Sequence, residues 1–290
     1  DCAVVAAGCT SVTIDEGTGS LAITLSRYDL PGCPTGQFCS RQTGECNAGT
    51  GGTGGAGATG GVGGSGETSR ITDGIVALYE FEEAGGDRVF DSSGVNPSLD
   101  LTIDDTRSVT WFDGFLRIDS EVIISSEGPA TKVFSSLAPS NATTLEAWVK
   151  PSSLLPVGTP PDRIVTMSPS ASQRNFLLGQ DGNVFAARYR TEEDNGNPTV
   201  YSTIGTATTW LTHVVFTHSA DGTEVFYIDG VERGTSTRFG ESNTWDQGFP
   251  LVLANEHDGG REWLGELHLV AIYDRALTEE EVRQNFGAGP

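Results

Sequence analysis

Four Asp-Gly pairs, each set between apolar runs, constrain this chain more than any other feature. They stand at Asp113-Gly114 in "VTWFDGFLRI", Asp181-Gly182 in "FLLGQDGNVFAARY", Asp221-Gly222 in "VVFTHSADGTEVFYI" and Asp229-Gly230 in "EVFYIDGVERG". Asp-Gly tolerates the positive φ of a type I′ turn, whose twist matches two paired antiparallel strands. Further short apolar runs, "TLEAWVKP", "NPTVYSTI" and "FPLVLAN", lie between them. So many short strands with turn signals predict an all-β sandwich, jelly roll or barrel. A single helix is expected, where Thr278 and Glu281 form a capping box before "EEVRQNF" and Gly287 follows.

Composition divides the chain into three zones. Residues 1–48 carry all five cysteines, Cys2, Cys9, Cys33, Cys39 and Cys46, and a β-hairpin is expected where "SVTI" and "LAITL" flank "DEGTGS". Clustered cysteines point to disulfides and an oxidising compartment. Zinc is the rival, but "CPTGQFC" and "CSRQTGEC" lack a tight knuckle and a nearby His. The odd count leaves one thiol over, and "AAGC" (Ala6–Cys9) resembles a bacterial lipoprotein processing site, which leaves a lipid anchor on Cys9 open.

Residues 49–72 form a glycine-rich linker, and residues 73–290 hold all five tryptophans and both lysines. Within the linker "GAGATG" (Gly55–Gly60) fits the spacing of a dinucleotide-binding turn. Such a turn needs a strand before it and a helix after it, and glycine and threonine supply neither. Glycine recurs at every third position from Gly51 to Gly66. A flexible tether is one reading, and extended glycine helices packed in a self-assembly through residues 1–66 are the other. The net charge of −22 argues against nucleic acid, which needs a basic face. No apolar run approaches the length of a membrane span.

The third zone resembles a known family. "IVALYEFEEAGGDRVFDSSGVN", "TLEAWVKP", "WLTHVVFTHSADGTEVFYIDGVERG" and "PLVLANEHDGGREWLGELHLVAIYDRALTEEEV" are similar, in order, to motifs of LamG-like jelly-roll domains of the concanavalin A-like lectin/glucanase fold. The resemblance implies an antiparallel two-sheet sandwich across residues 73–290. Strand patterning agrees. Leu145, Ala147 and Val149 share one face with Trp148 on the other. In "WLGELHLVAIY", Trp263, Leu267, Leu269, Ala271 and Tyr273 share a face opposite Leu264, Val270 and Ile272.

The resemblance also implies a structural calcium ion. Asp91 and Asn96 match the family's early loop, and Asp113 is a further candidate. Where the family reads G-x-I-D-E-V this chain reads "GELHLV", so His268 and Leu269 replace two acidic positions and remove hard oxygen ligands. No catalytic residue is assigned. The family's glycosidases set carboxylates alternately on one strand, and "EHDGGRE" (Glu256 to Glu262) breaks that alternation. Neither a nucleophile elbow nor H-E-x-x-H occurs. His213 and His218, five apart in one strand, face opposite ways. Ligand contacts are expected at Trp245 as a sugar-stacking ring, at His257, Asp258 and Arg261 in a neighbouring loop, and at Tyr189, which alternates with Arg188 and Arg190.

Taken together, the sequence predicts a secreted or cell-surface module without catalysis, an adhesive or carbohydrate-binding head on a tether. Its partner would be a glycan or a surface protein. A structural subunit of an extracellular filament is the alternative, and a glycoside hydrolase a weaker one.

Overall fold

The computed structural model describes residues 69–156 and 159–290, together with four short strands nearer the N-terminus. The chain divides into two compact units, 1–64 and 65–290. In the first, β1 (Thr13–Asp15) pairs antiparallel with β2 (Ala22–Thr24). Likewise β3 (Gln37–Cys39) pairs with β4 (Cys46–Ala48), in a register that sets Cys39 opposite Cys46. Cys2, Cys9, Cys33 and the glycine run lie outside the described residues, and with them the expectations of disulfides, a lipid anchor and a tether or packed spine.

The second unit is a sandwich of two antiparallel sheets. Sheet I runs in the order β15 (Val200–Tyr201), β14 (Val184–Tyr189), β13 (Phe176–Asp181), β12 (Asp162–Met167), β19 (Leu251–Leu253), β10 (Ile124–Ser126), β7 (Leu101–Ile103), β6 (Arg88–Val89). Sheet II runs β18 (Val231–Thr237), β17 (Thr223–Ile228), β16 (Thr212–His218), β11 (Thr143–Pro151), β20 (Gly265–Tyr273), β9 (Phe115–Ile118), β8 (Val109–Phe112). A further strand, β5 (Ile75–Tyr79), also pairs with β20. Sequence neighbours are often distant in the sheets, so the fold is held by long-range pairing.

The turns follow their glycines more than the Asp-Gly pair. Only Asp229-Gly230 has positive φ at both residues, 50° and 74°, in a two-residue loop between Ile228 and Val231. Asp181 instead pairs with Val184, so that loop is Gly182-Asn183, with φ of 61° at Gly182. Glycine at the first central position suits the type II′ alternative.

One core fills the space between the sheets, with Leu145, Ala147 and Val149 from β11 and Phe216 from β16 among its members. A second, smaller cluster lies on the outer face of sheet II, where Trp148, Leu269, Ala271 and Tyr273 meet Val282. Val282 belongs to α2 (Glu279–Ala288), which opens with the expected capping box of Thr278 and Glu281. The helix runs through Gly287 and is capped by Gly289, two residues later than the sequence predicts. The alternation expected along β20 changes phase. A bulge opposite Trp148/Val149 inserts His268, so Leu267 joins the inner core while Leu269 points outward. A helix that the sequence does not signal, α1 (Thr131–Ser140), adds Val133 and Leu137 to the inner core. It has no side-chain N-cap and contains Pro139, the two features that argue against a helix on sequence grounds.

The outer face of sheet II also buries charge. Glu146 of β11 accepts hydrogen bonds from Arg70, from His213 Nε2 at 2.8 Å, and from Asn285 Nδ2 at 2.8 Å. Asn285 in turn accepts from the Ile71 amide, and Arg70 donates to the Gly289 carbonyl. This cluster ties the segment entering the sandwich to the helix leaving it. Burial raises the Glu146 carboxyl, but His213 and Arg70 outweigh burial and hold it down at about 2.

Candidate functional site

Two of the expected ligand contacts are core residues. Trp245 is only 6% exposed. Its Nε1 donates to the Arg190 carbonyl at 2.7 Å, and its ring packs on Phe176 and Tyr189. The polar residues around it in sequence therefore give the wrong impression of a surface platform. Tyr189 is fully buried and stacks on His218 at 3.8 Å, since strand parity sends it inward and Arg188 outward. The exposed tryptophan is Trp210, at 78%. His257 and Asp258 are exposed at the tip of the loop after β19, and Arg261 is half-buried in that loop.

The residues at Asp91 do not fit a calcium ion. The Asp91 carboxylate is buried and takes hydrogen bonds from the Leu78, Ser93 and Leu99 amides. The remaining place is filled by the ammonium of Lys132 on α1, 2.5 Å from Asp91 Oδ2, 2.5 Å from the Val95 carbonyl and 3.2 Å from Ser93 Oγ. A carboxylate, a carbonyl and a hydroxyl are calcium-type ligands, and here they surround a fixed monovalent cation instead. Burial raises the Asp91 carboxyl, but Lys132 and the Ser93 and Leu99 bonds outweigh burial and lower it. Asn96 is exposed, and Asp113 is exposed on the β8–β9 turn in the other sheet. Among the described residues no group of three or more His, Cys, Asp or Glu side chains could hold a metal.

Unlike that of sheet II, the outer face of sheet I is polar. Residues directly opposite in an antiparallel sheet share a face, so the register reads out two rows. One runs Arg188, Leu177, Thr166, Val252, Ser125, Thr102, Arg88 across seven strands. The other runs Tyr201, Ala186, Gly179, Arg163. The second row has an exposed aromatic ring, Tyr201, at one end, while Ala186, Gly179 and Arg163 are buried, as are Leu177, Thr166 and Val252 in the middle of the first row. A Cβ at Gly179 would stand 2.3 Å from the Asp162 carbonyl, so this position stays bare beside the β12 bulge.

Loops rim this face. The loop after β19 brings Glu256 over β12, where its carboxylate accepts from Arg163 Nε at 3.0 Å and from Ser168 Oγ. Burial pushes the Glu256 carboxyl up, against the pull of Arg163. The Arg163 amide donates to the Arg261 carbonyl at 2.9 Å, which joins this loop to the strand. On the other side Arg174 reaches the Asn195 carbonyl at 2.9 Å, and Arg188 Nε reaches Thr199 Oγ1 at 2.7 Å. Arg174 also donates to the Ala171 carbonyl, and Arg261 to the Thr159 carbonyl. Burial, with the like charges of Arg188 and Arg163, brings Arg174 down to about 10.

Of these residues the sequence singles out Arg261 and Arg188 only. The missed signal is charge patterning: Arg163, Arg174, Arg188 and Arg190 fall within one stretch of a strongly acidic chain.

The two-sheet antiparallel sandwich has the concanavalin A-like fold. Residues 126–283 match the Laminin_G_3 family of the concanavalin A-like lectin/glucanases superfamily, and the chain belongs to that family. Solved structures of similar fold include domain 4 of AbnA, a GH43 extracellular arabinanase from Geobacillus stearothermophilus, in complex with arabinotriose. It is 20% identical over 73% of this chain and 97% of that domain, with a TM-score of 0.52. The binding domain of botulinum neurotoxin DC, solved with rat synaptotagmin II, is 12% identical over 75% of this chain, with a TM-score of 0.54. The chain spans about half of it, at 52%. Trypanosoma rangeli sialidase in complex with sialic acid is 18% identical over 74% of this chain and 33% of its own, with a TM-score of 0.52. At these identities the likeness is one of fold. No curated protein matches the chain by sequence. Among the described residues no helix is long and apolar enough to cross a membrane.

Proposed function

We propose that the chain is a non-catalytic, extracellular recognition module that binds glycan on the outer face of sheet I. The observation that carries this reading is the row Tyr201, Ala186, Gly179, Arg163. The exposed Tyr201 ring offers a flat apolar surface to the C–H face of a sugar, and fixed polar groups nearby orient hydroxyls. The arabinotriose and sialic acid in two structures of like fold support a sugar as ligand. The state of Glu256 supports the absence of catalysis. A glycosidase needs two carboxylates facing one cleft, and this one is fully buried against Arg163 and Ser168.

Tyr201 is 45% exposed, so its removal leaves the core intact. On a glycan array the full chain is expected to bind at least one oligosaccharide. Tyr201→Ala should weaken that binding about tenfold, the value of about 1.4 kcal/mol of stacking, with an unchanged melting temperature. A chain that binds no glycan and forms ordered filaments would favour a structural role instead.

A further inference from the structure

We propose that Asp181 is the polar half of the glycan site, its carboxylate accepting hydroxyl hydrogens of a neutral sugar stacked on Tyr201 and turning acidic sugars away. This inference rests on the glycan reading above and names the class of sugar it takes.

Tyr201 lies on β15, opposite Ala186 of β14. Its hydroxyl nevertheless reaches Asp181 Oδ2 on β13, at 3.4 Å. Neighbouring strands stand about 4.8 Å apart, so the side chain must run across β14 to make this contact. It lies along the sheet rather than standing off it. Ala186, on the strand it crosses, has no solvent exposure, while Tyr201 keeps 45%. A ring laid along a sheet with one face open is the arrangement that stacks on the C–H face of a sugar.

The carboxylate at the end of this ring has no structural task. Among the aspartates of the four Asp-Gly pairs, Asp221 accepts from the Thr223 amide and Asp229 from the His213 amide, both at 3.0 Å, and Asp113 is simply exposed. Asp181 is half-buried, and its carboxylate holds no backbone amide. Among the described residues no cation pairs with it. The Tyr201 hydroxyl is the one hydrogen bond it takes, a long one on Oδ2, which leaves Oδ1 free. The backbone beneath is fixed. Gln180, 4% exposed, donates from Nε2 to the Ser153 and Gly182 carbonyls, both at 2.9 Å, and accepts from Trp263 Nε1 at 2.8 Å. These bonds tie the β13–β14 turn to the loop after β11, so Asp181 is set in place before a ligand arrives.

A carboxylate accepts through two oxygens and donates nothing. Beside an aromatic ring it suits neighbouring hydroxyls of a neutral sugar, and its hydrogen bonds to them are charge-assisted. It repels a uronate or a sulfate ester, as does the net charge of −22 on the whole chain.

The test is an array of arabino-, gluco- and galacto-oligosaccharides, with uronate and sulfated counterparts of the hexose series, probed with the full chain, Tyr201→Ala and Asp181→Asn. The strongest binder and its counterpart are then titrated. The full chain is expected to bind the neutral member at least about tenfold tighter than the acidic one. Asp181→Asn should weaken neutral binding at least about tenfold and close most of that gap. Its melting temperature should stay unchanged, because the carboxylate holds no backbone amide. A merely structural role would not move the gap between neutral and acidic sugars. Acidic binding equal to or tighter than neutral would overturn the inference and leave the glycan reading standing. So would full affinity in Asp181→Asn alongside a loss in Tyr201→Ala. No binding to any member of the array would overturn both.

Discussion

Glu146→Ala is expected to lower the stability of the sandwich by about 3–5 kcal/mol, the usual cost of removing one partner from a buried ion pair. Glu146 has no solvent exposure and is the common acceptor for Arg70, His213 and Asn285. Alanine would leave Arg70 in its place, largely buried, without its carboxylate. The same cluster makes stability depend on pH. The Glu146 carboxyl is held at about 2 in the folded chain against an ordinary 4.5. A depressed folded pKa stabilises fully above the unfolded value and loses that effect as pH falls toward the folded one. The contribution, on the order of 3 kcal/mol, is therefore complete above about pH 4.5 and drains away toward about pH 2. Urea unfolding of wild type and Glu146→Gln across this range measures it. The gap between the two proteins should narrow steadily on acidification, and a gap constant with pH would contradict the account.

Lys132→Ala is expected to cost a similar amount, about 3–5 kcal/mol, because it strands the buried Asp91 carboxylate. For a unit of this size that is a fall in melting temperature of about 10 °C. The wild-type melt should be the same in excess calcium as in chelator, since the oxygens of Asp91, Ser93 and Val95 already hold an ammonium. A ligand that bound only the folded chain would raise the melting temperature, so a rise with calcium would contradict the replacement of the ion by Lys132.

The strands were legible because their signals are local. Apolar runs, the capping box at Thr278 and the opposed faces of His213 and His218 are each contained in a few residues. The bulge at His268 was not legible, because it arises from pairing with β11, more than 100 residues away in sequence. The same holds for calcium. The departures at His268 and Leu269 are visible in "GELHLV", but the cation that replaces the ion sits on a helix 41 residues beyond Asp91. The site was the least legible part. Its first row joins Arg88 to Arg188 through five intervening strands, and no short window of sequence contains that adjacency. Trp245 shows the converse: a polar window around a residue whose indole turns inward to the Arg190 carbonyl.

The central claim is that sheet I offers its outer face to a glycan. The most direct measurement is calorimetric titration of the best array oligosaccharide into the full-length chain and into Ser125→Trp, which places a bulky ring on the row between Val252 and Thr102. Ser125 is half-buried at the face, so the ring projects over it without entering the inner core. The account predicts that binding falls at least about tenfold while the melting temperature holds. Undiminished binding in both Ser125→Trp and Tyr201→Ala would contradict it and move the ligand elsewhere on the molecule.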